Sequence, residues 1–454
     1  MGKKSNEIKV QQTAFITTLG CKVNQYESAA FQTGFQEKGL LLVDFSRPAD
    51  IYVINTCAVT AKAGAQSRQL IRRALRANPT ARFIVTGCYA QVAAAEIRDI
   101  VGDHALIIGN NQKHLLVERS LAELDKKNHR ADQYLLNTIR EERDICSLPV
   151  RRFGKRTRAF LKVQDGCNNF CSYCIVPYAR GRSRSELPSK IIQQAKTFDE
   201  EGYRELVITG IHVGDYGRDL RPATNLTDMV RKLLRATPDM RYRISSLEPT
   251  EITSELLQLI AKEDNLMPHL HIPLQSGDDS VLNKMNRRYK SSDFVRIVNM
   301  VHASLPSAAI GADVLVGFPG EGEQAFENTV ALLEKLPVTY LHVFPYSKRP
   351  GTAAAEMGQH VAKKIKEERV ARLRELDHKK RIVFYKSQLG KKLHVLAEKA
   401  GSRGIRRFKG FSENYIPVFF NAPPHAANRV VSVKLEGMEG TTVFGQMVHN
   451  DNSK

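Results

Sequence analysis

Apolar and polar positions alternate along this chain in a way that divides it into three segments. In the first, short β-rich runs at Ala14–Thr18, Ile51–Asn55 and Arg82–Thr86 each give way to a polar or alanine-rich stretch of helical character, such as Ala65 to Ala77. Strands alternating with helices predict a parallel α/β sheet. A charged, weakly patterned stretch from Asp125 to Arg143 ends near Leu148-Pro149 and reads as a linker, so the first domain is placed at 1–148. In the second segment, 149–386, six β-rich runs recur: Ala159–Val163, Glu205–Thr209, Tyr242–Ser245, His269–Ile272, Ile310–Val316 and Tyr340–Phe344. Helical stretches separate them, which predicts a parallel (β/α)6 barrel or an open part of one. A charged helix from Ala362 to Lys386 closes this segment. The third, 387–449, shows strands at Leu393–Ala397, Tyr415–Phe420, Val430–Leu435 and Thr442–Val448 with Pro and Gly between them, the pattern of a small antiparallel β-barrel.

Composition narrows the partners. The 454 residues are 42% hydrophobic and 26% charged, so a core can be buried. No stretch is apolar for the roughly 18 residues a membrane span needs. The N-terminus carries no secretory pattern, and a cytoplasmic protein is expected, with no membrane partner. Lys and Arg outnumber Asp and Glu by 68 to 48, and this excess points to a polyanion, with nucleic acid the commonest. Trp is absent and aromatics make up 7%, which speaks against a dense single-strand stacking platform. Two basic clusters stand out. Residues 151–184 hold nine Lys/Arg against one Asp, including Arg180, Arg182 and Arg184. Residues 386–454 hold 11 Lys/Arg against 5 Asp/Glu, with Arg403, Arg406, Arg407 and Lys409 read as one loop. Both are candidate RNA contacts, and binding through them would weaken steeply with salt.

The seven cysteines carry the chemistry. Cys167, Cys171 and Cys174 form a C-x3-C-x2-C triplet on a short polar loop after a strand. Three thiolates so close can hold three irons of a cubane cluster and leave the fourth open to chelation by a substrate or cofactor. Structural zinc wants four closed ligands, and neither a His nor a fourth Cys follows at zinc spacing. Cys21, Cys57 and Cys88 are distant in sequence, yet each lies just past the end of an expected parallel strand. Such strand ends open onto one crevice of an α/β sheet, so the three thiols should converge as a second open cluster site. Cys146, beside the linker, has no such company.

The triplet, with Tyr173 before its last Cys, resembles the radical S-adenosylmethionine superfamily. With both triads, the whole chain resembles the methylthiotransferases, whose members have a cluster domain, a radical domain and a C-terminal TRAM barrel that binds RNA. The run Thr18-Leu19-Gly20-Cys21-Lys22-Val23-Asn24-Gln25-Tyr26-Glu27-Ser28 is similar to the branch acting on N6-threonylcarbamoyladenosine in tRNA. Pro177 to Ser185, His271 to Gly277 and His342 to Ser347 resemble the same branch.

The resemblance implies two 4Fe–4S clusters, one held by Cys167, Cys171 and Cys174, the other by Cys21, Cys57 and Cys88 and carrying the sulfur to be inserted. One S-adenosylmethionine methylates that sulfur. A second is cleaved to a deoxyadenosyl radical that abstracts hydrogen from C2 of adenine 37. Radical chemistry is needed because an aromatic C–H is too weak an acid for a base to remove. The substrate would be the anticodon stem-loop of tRNA rather than DNA, and a flavodoxin or ferredoxin would supply electrons. Beside Tyr173, the expected cofactor contacts are Gly210, in the glycine-rich turn Thr209 to Gly217, and Glu248, Gln275 and Ser276, just past strands at the barrel face where active sites sit. The chain lacks the Gly-Gly-Glu that many radical enzymes carry after their first strands. His212, His269, His271 and His342 lie near strand ends, where each alone reads as a satisfied polar residue. Other readings are methylthiolation of isopentenyladenosine, methylthiolation of a ribosomal protein, or a redox-sensing iron–sulfur RNA-binding protein. Deoxyadenosine production on reduction separates the last from the enzymes.

Overall fold

The computed structural model describes residues 11–124, 135–154, 156–399 and 407–448. Contacts group the chain into two units. One comprises Met1–Gly154 together with Ile175–Arg182; the other comprises Lys155–Cys174 and Ser183–Lys454. The second and third sequence segments thus fall in one unit. The short piece after the cysteine triplet falls in the first unit because Ile175 and Ala179 are buried in an apolar cluster with Ile54, Tyr89 and Ala90.

In the first unit, β1 (Thr13–Thr18) leads through α1 (Lys22–Glu37) and the two-residue β2 (Leu41–Leu42) to β3 (Ile51–Thr56). The helix α2 (Ala61–Ala77) follows, then β4 (Arg82–Gly87), the short α3 (Cys88–Val92) and β5 (Ala105–Ile108). The strands form one parallel sheet in the order β2-β1-β3-β4-β5. Every residue of β3 and β4 is buried, as expected of strands covered on both faces. Since β1 is followed in space by β2 on one side and β3 on the other, the sheet has a switch point between β1 and β3, where ligands of open α/β sheets bind. The sequence pattern missed β2 and β5, which are too short to show a period.

In the second unit the six expected strands appear as β6 (Ala159–Lys162), β9 (Glu205–Thr209), β10 (Arg241–Ile244), β11 (His269–His271), β12 (Ala309–Val316) and β13 (Tyr340–Pro345). A two-residue pair, β7 (Gln164–Asp165) with β8 (Arg184–Ser185), brackets the cysteine loop. The six long strands are parallel to their neighbours but form two three-stranded sheets, β6-β9-β10 and β11-β12-β13. A bridge between Tyr242 and Leu266 and a bond from Leu247 N to His271 O (3.0 Å) join them into an open half-barrel. Its last strand is flanked by the 26-residue helix Lys363–Gln388, whose Asp377 accepts the Leu341 N–H at 2.7 Å.

The C-terminal strands β14 (Lys392–Lys399), β15 (Arg407–Ser412), β16 (Pro417–Asn421), β17 (Val430–Glu439) and β18 (Thr442–Met447) close into a barrel. It has five strands where four were expected, and β16 pairs with β18 in parallel. The strand missed is β15, so Arg407 and Lys409 begin a strand and do not belong to a loop. The basic residues there hid an alternation of buried Phe408, Gly410 and Ser412 with half-buried Lys409 and Phe411. Arg243, on β10, donates to Ser412 O (3.1 Å) and Glu413 O (3.0 Å) and so ties this barrel to the half-barrel.

Candidate functional site

The cysteine triplet is a loop held from several sides. Gln164, fully buried, donates to Asp165 O (3.0 Å), Gly166 O (2.8 Å) and Ser183 Oγ (2.9 Å), and its Oε1 accepts Ile211 N (3.0 Å) and His212 N (2.8 Å). One amide therefore links the loop to the turn after β9. Ser172 bonds Met285 O and Lys284 O, and Asn286 donates to Phe170 O. Hydrogen bonds also reach the sulfurs: Asn169 N to Cys167 Sγ at 3.4 Å and Arg287 Nη1 to Cys171 Sγ at 3.3 Å. Beside the loop lies a cavity of about 160 Å³ lined by Asn168, Cys171, His212, Glu248, Glu251 and Arg287. His212 pairs with Glu251 at 2.5 Å. Burial opposes its charge, but hydrogen bonds to Cys167 and Glu251 outweigh burial and push its pKa up to about 10. Arg287 is paired with Glu248 and lies over the Tyr289 ring.

This donor set fits an iron–sulfur cluster. Thiolates need cationic and N–H partners, and Arg287, His212 and the Asn169 amide supply them. Ligands of one ion must crowd together, whereas cluster thiolates each take a separate iron. Among the described residues the set of His, Cys, Asp and Glu ligand atoms gathered within 4.8 Å is His271, Asp313 and His342, and it includes no cysteine.

The second triad is assembled from three strand ends. Cys21 follows β1 and caps α1, Cys57 follows β3, and Cys88 follows β4 and opens α3. Cys21 and Cys57 thus flank the switch point. Two glycines make the approach possible. Gly20 and Gly87 both have φ +99°, and a Cβ on Gly20 would lie 2.8 Å from Cys57 Sγ, one on Gly87 2.3 Å from Thr56 O. Burial pushes the Cys57 thiol up to about 11, and its neighbours Cys88 and Cys21 add to the shift. Burial likewise raises the Cys21 thiol, and a buried thiol gives up its proton when something cationic takes up the sulfur, which metal does outright. The protein contributes cations as well. Arg180 is fully buried and donates from Nε to Cys88 Sγ (3.3 Å), from Nη2 to Asn24 Oδ1 (2.5 Å) and from Nη1 to Glu27 Oε1 (3.0 Å). Lys113, also buried, pairs with the same Glu27. Burial lowers the Lys113 ammonium, an effect that Glu27 only partly offsets, so the guanidinium of Arg180 is the cation set on the thiols.

Several expected roles change. Arg180 is no RNA contact: it is 0% exposed and spent on Glu27, Asn24 and Cys88. Arg184 is likewise buried on β8, whereas Arg182 is exposed. Arg403 and Arg406 lie outside the described residues, and of Arg407 only the backbone is described. Lys409 sits over the Phe419 ring. Glu248 and Cys171 line the cavity, and Tyr173 packs edge-on against Phe318. Gly210 serves close packing, since a Cβ there would meet Gln164 Oε1 at 2.7 Å. Gln275 adopts φ +65° and bridges to Val314. Ser276 is fully buried, its hydroxyl engaged with Thr329 and the Asp278 N–H, so it presents nothing to a cofactor. Cys146 Sγ lies 3.8 Å from His114 Nδ1. Sequence reasoning missed Glu27, Lys113, Glu251 and Arg287. Glu27 stands in the Cys21 motif one helical turn past Asn24; for Lys113 no local signal exists.

Residues 13–109 match the model of the uncharacterized protein family UPF0004, and residues 161–333 match that of the Radical SAM superfamily. The threonylcarbamoyladenosine tRNA methylthiotransferase MtaB of Bacillus subtilis (strain 168) is 40% identical, over 93% of each chain. The protein of that name from Aquifex aeolicus (strain VF5) is 38% identical over 88% of this chain and 95% of its own. The tRNA-2-methylthio-N(6)-dimethylallyladenosine synthase of Oceanobacillus iheyensis is 30% identical over 96% and 84%. Among solved structures, the radical S-adenosylmethionine methyltransferase TsrM of Kitasatospora setae superposes with a TM-score of 0.55 at 14% identity, over 76% of this chain and 77% of that one. That likeness concerns the fold. Among the described residues no helix is long and apolar enough to cross a membrane.

Proposed function

The chain belongs to the tRNA methylthiotransferases of the radical S-adenosylmethionine superfamily, and from that footing we propose that it installs a methylthio group on C2 of N6-threonylcarbamoyladenosine 37 in tRNA. The observation that carries the reading is the gathering of Cys21, Cys57 and Cys88 from three separate strand ends beside a buried guanidinium. The group needs two 4Fe–4S clusters and S-adenosylmethionine, which when bound supply a carbon-centred radical and a transferable sulfur.

The chain's own residues prepare that chemistry. Cys167, Cys171 and Cys174 hold one cluster, and Arg287 and the Asn169 N–H stabilise its sulfurs. Cys21, Cys57 and Cys88 hold the other, with Arg180 offsetting the charge of their thiolates. Glu248, at the cavity beside Cys171, is placed to accept a cofactor N–H or O–H. Arg182, Lys409 and the basic stretch 403–407 bind phosphates of the anticodon stem-loop, and a flavodoxin or ferredoxin delivers electrons. The tRNA substrate sets the work in the cytoplasm.

The test is mass spectrometry of nucleosides from tRNA treated with the reduced, reconstituted enzyme. The wild type should convert threonylcarbamoyladenosine to its methylthio form. The Cys21→Ala/Cys57→Ala/Cys88→Ala variant should still yield deoxyadenosine but no methylthio product. Methylthiolation by that variant would end the auxiliary role of the triad.

A further inference from the structure

On β11, β12 and β13 side chains alternate between two faces. Leu270, Ala312, Val314, Leu341 and Val343 are buried on one. The other carries His269, His271, Asp313, Tyr340 and His342, a polar layer on the inner wall of the half-barrel. His271 Nε2 lies 2.7 Å and His342 Nδ1 3.4 Å from the same Asp313 oxygen, Oδ1. Those contacts hold the Asp313 carboxyl ionised, well below the usual carboxylate range, although burial alone would raise it. Tyr340 Oη fixes the rings from behind, 3.0 Å from His271 Nδ1 and 2.7 Å from His269 Nε2. Tyr415 stacks on His269 at 4.2 Å and floors the layer.

Two polar atoms of this network are uncommitted. Among the described residues Asp313 Oδ2 and His342 Nε2 have no hydrogen-bond partner. The His342 side chain is 48% exposed and Phe344, next on the same face, 46%, so the layer is open to an arriving group. Two residues on from Asp313 along the same face, Leu315 packs on the small apolar cluster that also receives Tyr173 of the cysteine loop. The layer therefore lies one pleat repeat, about 7 Å along the strand, from residues that support the radical centre.

We propose that His271, Asp313 and His342 form the binding site for the polar N6 substituent of the substrate adenine and select against apolar ones. This rests on the threonylcarbamoyl reading above and deepens it. A threonylcarbamoyl group has N–H and O–H donors for Asp313 Oδ2, and both donors and acceptors for His342 Nε2, which accepts or donates according to the tautomer of the ring. A dimethylallyl group has neither, and would strip water from a carboxylate and an imidazole without replacing a single bond. Sites built to pair with substrate polar groups reject analogues lacking them far more strongly than apolar pockets discriminate by size.

The test measures affinity of the reconstituted enzyme for anticodon stem-loop RNAs bearing threonylcarbamoyl, its methyl ester, or dimethylallyl at adenine 37. The wild type should prefer threonylcarbamoyl over dimethylallyl by at least about tenfold, with the ester between. His342→Phe, at a half-exposed position, and Asp313→Leu should bring that ratio close to one by weakening the threonylcarbamoyl RNA, while His342→Gln should restore part of it. Variants that keep the wild-type ratio would overturn the inference and leave the substrate reading standing. A wild type that prefers the dimethylallyl RNA would sink the substrate reading and the inference with it. Stoichiometric zinc at a site of only nitrogen and oxygen ligands, lost in both variants, would also overturn it, by making the group a metal site.

Discussion

The two thiol triads solve one problem in opposite ways. Cys167, Cys171 and Cys174 come from eight consecutive residues, and the fold's task is to brace a loop: Gln164 from below, Met285 and Asn286 from the side, Arg287 onto a sulfur. Cys21, Cys57 and Cys88 come from three strands, and the sheet itself is the brace. A braced loop tolerates neighbours that pair at its rim, such as His212 with Glu251. A sheet-built site needs its counter-charges inside the core, and this is where Arg180, Lys113 and Glu27 lie. The difference shows that a local cysteine motif advertises itself, whereas a dispersed one is written in backbone topology and in the ions buried beside it.

The sharpest way to break the comparison is to remove one thiol from each site. Cys174→Ala should abolish deoxyadenosine formation and methylthiolation alike. Cys57→Ala should lose one cluster, about four irons, and the methylthio product, yet retain deoxyadenosine; iron analysis and product chromatography read both. Next is Glu27→Ala, which strands Arg180 and Lys113 as buried cations. A loss of about 3–5 kcal/mol in unfolding free energy is expected in denaturant titration. Glu248→Ala, which strands only Arg287 beside an open cavity, should cost less. Gly87→Ala forces a side chain into φ +99°, ψ −172° and against Thr56 O. It should destabilise by about 1–3 kcal/mol and lower iron at the dispersed site before the loop site. The smallest effect sharpens the boundary between core and surface charge. Arg182→Ala should reduce the salt dependence of tRNA binding by about one phosphate contact without shifting Tm. Arg180→Met, if it folds, should leave that slope unchanged and lower iron content.

Much of this architecture was legible because long elements carry their period in sequence. All six half-barrel strands, the closing helix and the three long strands of the first sheet fall where apolar runs place them. What escaped was short or non-local. The strand β15 was hidden by Arg407 and Lys409, whose charges read as a loop although Phe408 between them is buried in the barrel core. Arg180 reads as an RNA contact in sequence because it sits in a basic run. Only the fold reveals that a three-residue motif, Arg180-Gly181-Arg182, begins in the core and ends at the surface. The polar layer of His271, Asp313 and His342 is invisible one histidine at a time, since its members come from three strands.

One quiet feature matters for how such a protein survives in a crowded solution. A half-barrel must stop somewhere, and the strand at which it stops would ordinarily offer its backbone to any passing chain. Here Lys363–Gln388 runs along β13, and Asp377 occupies the Leu341 amide. The enzyme can keep its barrel ajar for a bulky nucleic acid while withholding the seam that would let one copy zip onto another.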